Sequence, residues 1–141
     1  EFRRVLFRSQ EMRLASLLQK PHHGPTAMPA REVFEMATIE GARALGLDRD
    51  VGSLEVGKKA DFCAVDLLEP SVAIEPSEKE PGQVYSALVY AASPQCVRQT
   101  WVDGRSVYRA GSYPGATAGE IVREAMRERK KLLGRLHAGV S

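Results

Sequence analysis

Residues 52–62 read Gly-Ser-Leu-Glu-Val-Gly-Lys-Lys-Ala-Asp-Phe, a stretch in which two spaced glycines lead into an apolar run. Gly52 and Gly57 suit positive φ angles or tight turns, because glycine has no Cβ to clash there. We therefore expect a short strand and a turn between them. Residues 60–66 follow as a mostly apolar strand, and their pattern predicts burial on both faces.

Individual side chains in this region are predicted to have structural roles. Asp61 either accepts backbone hydrogen bonds at the strand entry or faces water, and both alternatives stay open. Lys58 is expected to be solvated rather than catalytic. Phe62 and Val65 are expected in the core, and Trp101 is expected to pack inside the sheet layer rather than bind a ligand.

Two amphipathic helices are predicted upstream. The first covers residues 10–20 and ends at Pro21, since proline lacks the backbone donor that a helix needs. Its expected buried stripe consists of Met12, Ala15 and Leu18, with Leu14 beside them. The second begins near Pro29 and closes at Gly46, with apolar positions at Val33, Phe34, Ala37, Gly41, Ala44 and Leu45.

Downstream, the pattern predicts an exposed excursion followed by a hairpin. Residues 69–83 contain three prolines and several acids, which is typical of an exposed segment. Residues 84–92 are apolar and fit a helix or a strand, and we favour a short helix. The Asp-Gly pair at 103–104 lies between the runs 97–102 and 105–108, which is a strong signal for a two-residue hairpin.

A last helix is predicted after Thr117. Glu120 follows three residues later and completes a capping box. The charged run 127–131 mixes acids with bases, so it indicates a solvated helix face rather than a nucleic-acid contact. The expected buried stripe is Ile121, Ala125, Leu132 and Leu136, flanked by Val122, Met126 and Leu133.

The ordered set of motifs resembles the end of metal-dependent amidohydrolases. In that family a stretch like residues 52–62 leaves the barrel and enters a small β-sandwich. Residues 29–47 look like the last barrel-associated helix, and residues 11–15 look like the helix after the eighth barrel strand. Residues 86–105 are similar to the subgroup acting on purine and triazine rings, which includes methylthioadenosine/S-adenosylhomocysteine deaminases, guanine-type deaminases and chlorotriazine hydrolases.

The resemblance implies an α/β fold that forms the C-terminal end of a (β/α)8 barrel. Residues 10–50 would form the last barrel helices, residues 51–113 part of the β-sandwich, and residues 114–141 a C-terminal helix and tail. A complete barrel needs about 250 residues, and this chain has 141. We therefore expect a fragment of a larger hydrolase.

The resemblance also implies where the chemistry lies. Such enzymes hold zinc or iron with an H-x-H pair, a later histidine and an aspartate, and the ion lowers the pKa of bound water toward ~7. The resulting hydroxide would attack a purine-like or triazine-like ring, so the expected partner is a small heterocyclic substrate. None of these positions is expected in this chain. We assign no catalytic and no metal-binding residue here, expect no cofactor bound to the fragment, and leave the substrate-binding residues unknown.

Other candidate residues have plainer interpretations. His22 and His23 are adjacent, so their side chains point apart and a metal role is not favoured. His137 lies in a basic terminus and is expected to be solvated. Cys63 and Cys96 are too few for a disulfide framework and are expected to be reduced and buried, which favours a cytoplasmic protein.

The charge is concentrated at the start of the chain. Residues 1–9 contain three of the 20 basic and one of the 18 acidic side chains, so the net charge of +2 lies entirely there. These nine residues resemble a translated sequencing adapter, and the biological sequence would then begin within a protein at Gln10. The alternative is a basic arm that binds nucleic acid or a membrane.

No apolar run approaches the ~20 residues of a membrane span, and neither nucleic-acid nor membrane binding is expected. A homo-oligomer is possible. The competing hypothesis for the whole chain is a non-catalytic binding or scaffolding domain derived from an amidohydrolase tail.

Overall fold

A computed structural model describes residues 2–77 and 79–138, with side chains described for 9–77 and 79–135. Three helices come first and a three-stranded antiparallel sheet follows, with a short fourth helix between its first and second strands. A long helix ends the described chain. The helices are α1 (Phe2–His23), α2 (Ala30–Ala37), α3 (Ile39–Ala44), α4 (Pro81–Ser86) and α5 (Ala118–Ala138). The strands are β1 (Phe62–Val65), β2 (Val97–Val102) and β3 (Arg105–Arg109).

Helix α1 differs from its prediction in its end and in its buried face. Pro21 does not end it, because a proline in the last turn removes only one donor. The helix ends instead at Gly24, whose φ of +90° is typical of a helix C-terminus and whose amide donates to the Lys20 carbonyl over 2.9 Å. Leu14 and Leu18 are exposed, so the predicted buried stripe is wrong for these two leucines.

The second predicted helix is two helices that meet at Thr38. The Thr38 backbone has φ −122° and ψ −101°, outside the helical region, while its hydroxyl donates to the Phe34 carbonyl over 2.8 Å. Val33 is buried, as predicted, and Ala42 is also buried. Leu45 is exposed, contrary to prediction, and the predicted closure at Gly46 is confirmed by a φ of +69°.

The stretch that carries the resemblance is a connection of turns. No strand lies between Gly52 and Gly57 in the part of the chain that the structure describes, so that expectation is wrong. Both glycines have the predicted positive φ, +99° and +94°. At Gly52 a Cβ would also lie 2.7 Å from the Ala42 Cβ, so glycine lets this connection approach α3 closely.

The sheet has the order β1-β2-β3. Phe62 is paired with Trp101, and the register shifts between Ala64 and Val65. The predicted hairpin is confirmed, because β2 and β3 are joined at Asp103-Gly104 with φ of +50° and +74°. The predicted burial of β1 on both faces is wrong: Phe62 through Ala64 are exposed. Burial on both faces needs a layer on each side of the sheet, which the described residues do not supply.

A π-helical turn, Ala87–Ala91, continues α4, and a 3₁₀ turn, Pro94–Cys96, leads into β2. The helical prediction for residues 84–92 is therefore confirmed. Val89 and Cys96 are completely buried here. Together with Val33 of α2 and Ser16 of α1, they are the largest completely buried side chains of the described chain.

Helix α5 has the predicted cap but not the predicted burial. The Thr117 hydroxyl accepts from the Glu120 amide over 3.2 Å, and the Glu120 carboxylate accepts from the Thr117 amide over 2.7 Å. This reciprocal pair is a capping box. The stripe is wrong among the described side chains, since its members are exposed: Ile121, Val122, Ala125, Met126, Leu132 and Leu133. Leu136 and His137 lie outside the described side chains.

Candidate functional site

His22 and His23 are not part of a metal centre in the described structure. His22 and His23 lie exposed at the end of α1. Among the described side chains, residues 9–77 and 79–135, no group of three or more His, Cys, Asp or Glu is placed to hold a metal ion. The absence of catalytic and metal-binding residues from this chain stays a prediction.

The best-organised polar site is a cluster where α1 meets the π-helical turn, formed by Ser16, Tyr90 and the Met28 carbonyl. Ser16 is completely buried, and its hydroxyl donates to the Met28 carbonyl over 2.7 Å. The Tyr90 hydroxyl lies 2.6 Å from the Ser16 hydroxyl oxygen. Because Ser16 has one proton, already used toward Met28, Tyr90 is the donor in the second bond. The cluster joins α1, the loop after it and the π-helical turn.

Arg13 and Lys20 extend this cluster along the same side of α1. Arg13 donates from Nε to the Val89 carbonyl and from Nη2 to the Ala92 carbonyl, each over 3.3 Å. Lys20 donates from Nζ to the carbonyls of Pro25 and Ala27, over 2.8 and 3.0 Å. Arg13 therefore satisfies carbonyls in and just after the π-helical turn, and Lys20 satisfies carbonyls of the loop after α1, so both cations have a structural role.

Sequence reasoning misses this cluster because the apolar stripe of an amphipathic helix is expected to be its buried face. A signal exists in retrospect: Ser9, Arg13, Ser16 and Lys20 recur at helical spacing. That spacing marks one polar face, but only the tertiary fold shows that this face points inward.

A small apolar cleft of about 140 Å³ lies beside the cluster. Its lining includes Met12 of α1, Phe34 of α2, Cys63 of β1 and Leu88 of the π-helical turn. No Asp, Glu, Lys, Arg or His lines it. The cleft therefore offers packing space but no acid–base chemistry.

The two cysteines lie in different settings. Cys96 is buried as predicted, whereas Cys63 is exposed, so its predicted burial is wrong. Burial raises the pKa of the Cys96 thiol, but the Ser93 amide and the Ser93 and Ser71 hydroxyls outweigh it and lower the pKa overall. No chemistry follows from this, because a thiol without solvent access does not react.

The other side chains that the sequence analysis singled out make structural contacts. Asp61 accepts from the Asp103 amide over 2.5 Å, which selects the hydrogen-bonding alternative. Lys58 is largely buried and donates to the Ser53 hydroxyl over 2.6 Å, so the solvated interpretation is wrong. Phe62 is partly exposed rather than in the core, and it stacks on Trp101 with ring centroids 4.5 Å apart.

A cluster of ion pairs holds the segment after β1 against β2. Arg98 donates to Asp66 Oδ2 from Nη2 over 2.8 Å and from Nε over 3.1 Å, and it also contacts Glu69. The hydrogen bonds from Arg98 hold the pKa of Asp66 below its usual range. The pair is exposed to water, so its role is to select a geometry rather than to supply much stability.

These features have structural roles. We use the term junction for α1, the loop after it and the π-helical turn, which the buried polar cluster joins. The sequence profile of the amidohydrolase family matches residues 6–107, and the chain belongs to that family. The resemblance drawn from residues 52–62 is thereby confirmed. The match begins inside the nine residues assigned to an adapter, and that assignment stays a prediction.

Similar proteins are deaminases. The chain is 38% identical over 122 residues to a 5-methylthioadenosine/S-adenosylhomocysteine deaminase of Moorella thermoacetica, covering 86% of this chain and 27% of that protein. It is 39% identical over 130 residues to a 5'-deoxyadenosine deaminase of Methanosarcina acetivorans, covering 92% and 28%. The chain thus spans little more than a quarter of these relatives.

A solved structure has the same local fold. An adenosine deaminase from Xanthomonas campestris with bound zinc matches with a TM-score of 0.78 and 31% identity, over 89% of this chain and 28% of that one. Its likeness supports helices with a small antiparallel sheet as a family arrangement. Among the described helices, none is both long and apolar enough to cross a membrane.

Proposed function

We propose that this chain is the C-terminal part of a metal-dependent hydrolase of carbon–nitrogen bonds other than peptide bonds. The whole protein would hydrolytically deaminate an adenosine-type nucleoside, with methylthioadenosine or S-adenosylhomocysteine as the leading substrates. The supporting observation is that relatives 38–39% identical are deaminases of this type. Their names support an adenosine-type ring over the broader purine and triazine class.

In this proposal the chain supplies the last barrel helices over residues 10–50, part of the β-sandwich over 51–113, and a C-terminal helix over 114–141. Zinc or iron would be bound elsewhere in the polypeptide, since the described residues offer no fitting set of ligands. A bound ion of this kind supplies a water of lowered pKa. Arg13 and Ser16 would hold α1 in place within the junction.

The test compares two proteins from the same reading frame. The first is the polypeptide encoded by the frame including its upstream sequence, and the second is residues 1–141. Ammonia release from methylthioadenosine, S-adenosylhomocysteine, adenosine and guanine is measured with zinc, with iron and after chelation. We expect metal-dependent activity from the longer polypeptide and none from residues 1–141.

Two outcomes would contradict the proposal. Metal-dependent turnover by residues 1–141 alone would show that the chain has its own active site. A reading frame that starts near Gln10 would favour the non-catalytic binding or scaffolding domain instead. A cytoplasmic location and a possible homo-oligomer belong to the same proposal, and gel filtration of the longer polypeptide tests the latter.

A further inference from the structure

Helix α5 has an exposed apolar stripe with a cation at its centre. Val122, Ala125, Arg129 and Leu132 follow one another at spacings of three, four and three residues, which places them on one helix face. We call these four residues the arginine stripe. The family profile ends at residue 107, before α5 begins, so the stripe lies outside the matched part of the fold. The large apolar side chains on and beside the stripe are 40–65% exposed: Ile121, Val122, Met126, Leu132 and Leu133.

Arg129 has no acid within reach on its own helix. Its neighbours on the helix surface, three and four residues away, are all apolar: Ala125, Met126, Leu132 and Leu133. The nearby cations differ, because Arg127 pairs with Glu124 over 2.8 Å and Lys131 with Glu128 over 2.6 Å. Among the described side chains, Arg129 forms no ion pair or hydrogen bond. Covering the stripe would desolvate this charge, so the opposing surface must supply an acid.

A second copy of α5, running antiparallel, presents such an acid at the matching level. When the two-fold axis passes between residues 128 and 129, residue 128 of one copy lies level with residue 129 of the other. Glu128 is then level with the second copy's Arg129. At the same register the small side chain of Ala125 is level with the larger Leu132 of the second copy. The sequence of α5 therefore complements itself about this point.

The distribution of charge along α5 favours the antiparallel direction. Residues 128–135 contain four bases and one acid, whereas residues 118–127 contain two of each. A parallel pair would place the two basic halves side by side, with Arg129 opposite Arg129, and like charges in contact are unfavourable. An antiparallel pair places each basic half against a neutral half. A helix of 21 residues is about 30 Å long, which allows several turns of contact.

We propose that the arginine stripe is the contact between two copies of this protein, formed by antiparallel pairing of α5 around residues 128 and 129. The contact is isologous, because each copy supplies Glu128 to the other's Arg129, and it closes as a dimer. The inference rests on the proposed function in one respect, since it names the surface for the homo-oligomer of that proposal. The rest of the same polypeptide is the competing occupant of the stripe.

Disulfide cross-linking tests the pairing and its direction in the longer polypeptide, encoded by the reading frame that contains this chain. Ala125→Cys and Leu132→Cys are prepared as separate variants, mixed, allowed to exchange and oxidised. Peptide mass spectrometry identifies the linked sites, separately from Cys63 and Cys96. In the antiparallel pair, the two copies of residue 125 are ~10 Å apart along the helix axis, beyond the reach of a disulfide. We therefore expect 125–132 links to exceed 125–125 and 132–132 links by roughly tenfold.

A charge-reversal series tests the pairing of Glu128 with Arg129. Arg129→Glu should raise the Kd of the dimer on the order of tenfold, because it places like charges together in both symmetric contacts. Adding Glu128→Arg to it should restore the dimer. Arg127→Glu makes the same change of charge on the opposite face of α5, and it should leave the Kd unchanged within about twofold. Sedimentation equilibrium measures these constants.

Same-site links in excess would overturn the antiparallel pairing, and the absence of links between copies would overturn the dimer contact. Equal effects of Arg129→Glu and Arg127→Glu would overturn it as well, as would a double variant no tighter than Arg129→Glu alone. Neither measurement requires turnover. A linked dimer that releases no ammonia would contradict only the proposed deaminase, and metal-dependent turnover without 125–132 links would contradict only the pairing.

Discussion

At the scale of single residues, the junction depends on polar groups that the fold removes from water. Ser16 is buried with both hydrogen-bonding directions used, one toward Met28 and one from Tyr90. Helical spacing predicts which residues of α1 share a face. It does not predict that serine and arginine, rather than leucine, form the inner face, because that depends on the carbonyls that the π-helical turn presents.

Removing the Ser16 hydroxyl should destabilise the fold more than removing the Tyr90 hydroxyl. Ser16→Ala leaves the Met28 carbonyl and the Tyr90 hydroxyl without their partner, and should lower the free energy of unfolding by about 1–3 kcal/mol. Tyr90→Phe should cost about 0.5–1.5 kcal/mol, since Ser16 keeps its bond to Met28. Urea unfolding of the two single variants and the double variant measures the coupling. Strictly additive effects would contradict the hydrogen bond between them.

Gly52 and Gly57 form a matched pair for separating backbone strain from steric overlap. Both have φ above +90°, but only Gly52 has neighbours in the space of a Cβ, with the Ile39 Cα at 3.0 Å in addition to Ala42. Gly57→Ala should cost about 1–2 kcal/mol through the left-handed backbone alone. Gly52→Ala should cost a further 1–3 kcal/mol or so through overpacking. Equal thermal shifts would show that the connection moves away from α3.

At the scale of elements, local signals succeed where they need no partner. The Asp-Gly hairpin at 103–104 and the capping box of Thr117 and Glu120 both form as predicted. Each is decided by backbone geometry within four residues. The buried faces of α1, β1 and α5 are predicted less well, because burial depends on what lies against them.

The start of α5 should depend on pH. The backbone and side-chain hydrogen bonds from Thr117 lower the pKa of the Glu120 carboxyl. A lowered pKa means that its stabilising effect is complete above the ordinary carboxyl pKa of about 4.3 and is lost as pH falls through the lowered value. Amide chemical shifts of residues 117–120 between pH 7 and acid should report this loss.

Glu120→Gln should remove the pH dependence while keeping part of the cap, because glutamine also accepts from the Thr117 amide. Thr117→Ala should cost about 1 kcal/mol of helix stability at neutral pH. Glu128→Gln, further along α5, is the control and should leave the first turn unchanged. An unaltered acid transition in Glu120→Gln would contradict the assignment.

At the scale of the whole molecule, the exposed surface governs stability. A chain that exposes 10620 Å² at 15.5 kDa buries less than a compact domain of its size, so its own core is thin. Its largest completely buried apolar side chains are Val33, Val89 and Cys96. Family membership and the local fold follow from residues 6–107, while activity and substrate belong to the proposed larger protein.

If the rest of a larger protein covers this surface, amide hydrogen exchange should be slower throughout the junction. Amide hydrogens of α1 and the π-helical turn should exchange more slowly in the longer polypeptide than in residues 1–141, by a margin that grows with added stability. Glu75 and Ser77 lie in the exposed excursion, so their amides serve as the internal control and should exchange quickly in both. Equal protection of the junction in both proteins would show that the chain is stable without a covering body.

The sequence by itself determined the family, the turn glycines, the hairpin and the α5 cap. These features depend on residues close together in the chain or on motifs kept in order. Only the tertiary structure decided that Ser16 and Arg13 face inward while Leu14 and Leu18 face outward. It also divided the second predicted helix at Thr38, left β1 as an edge strand and removed most of the Lys58 side chain from water. The physical reason is that burial belongs to pairs of surfaces, whereas periodicity within one helix or strand describes only one of them.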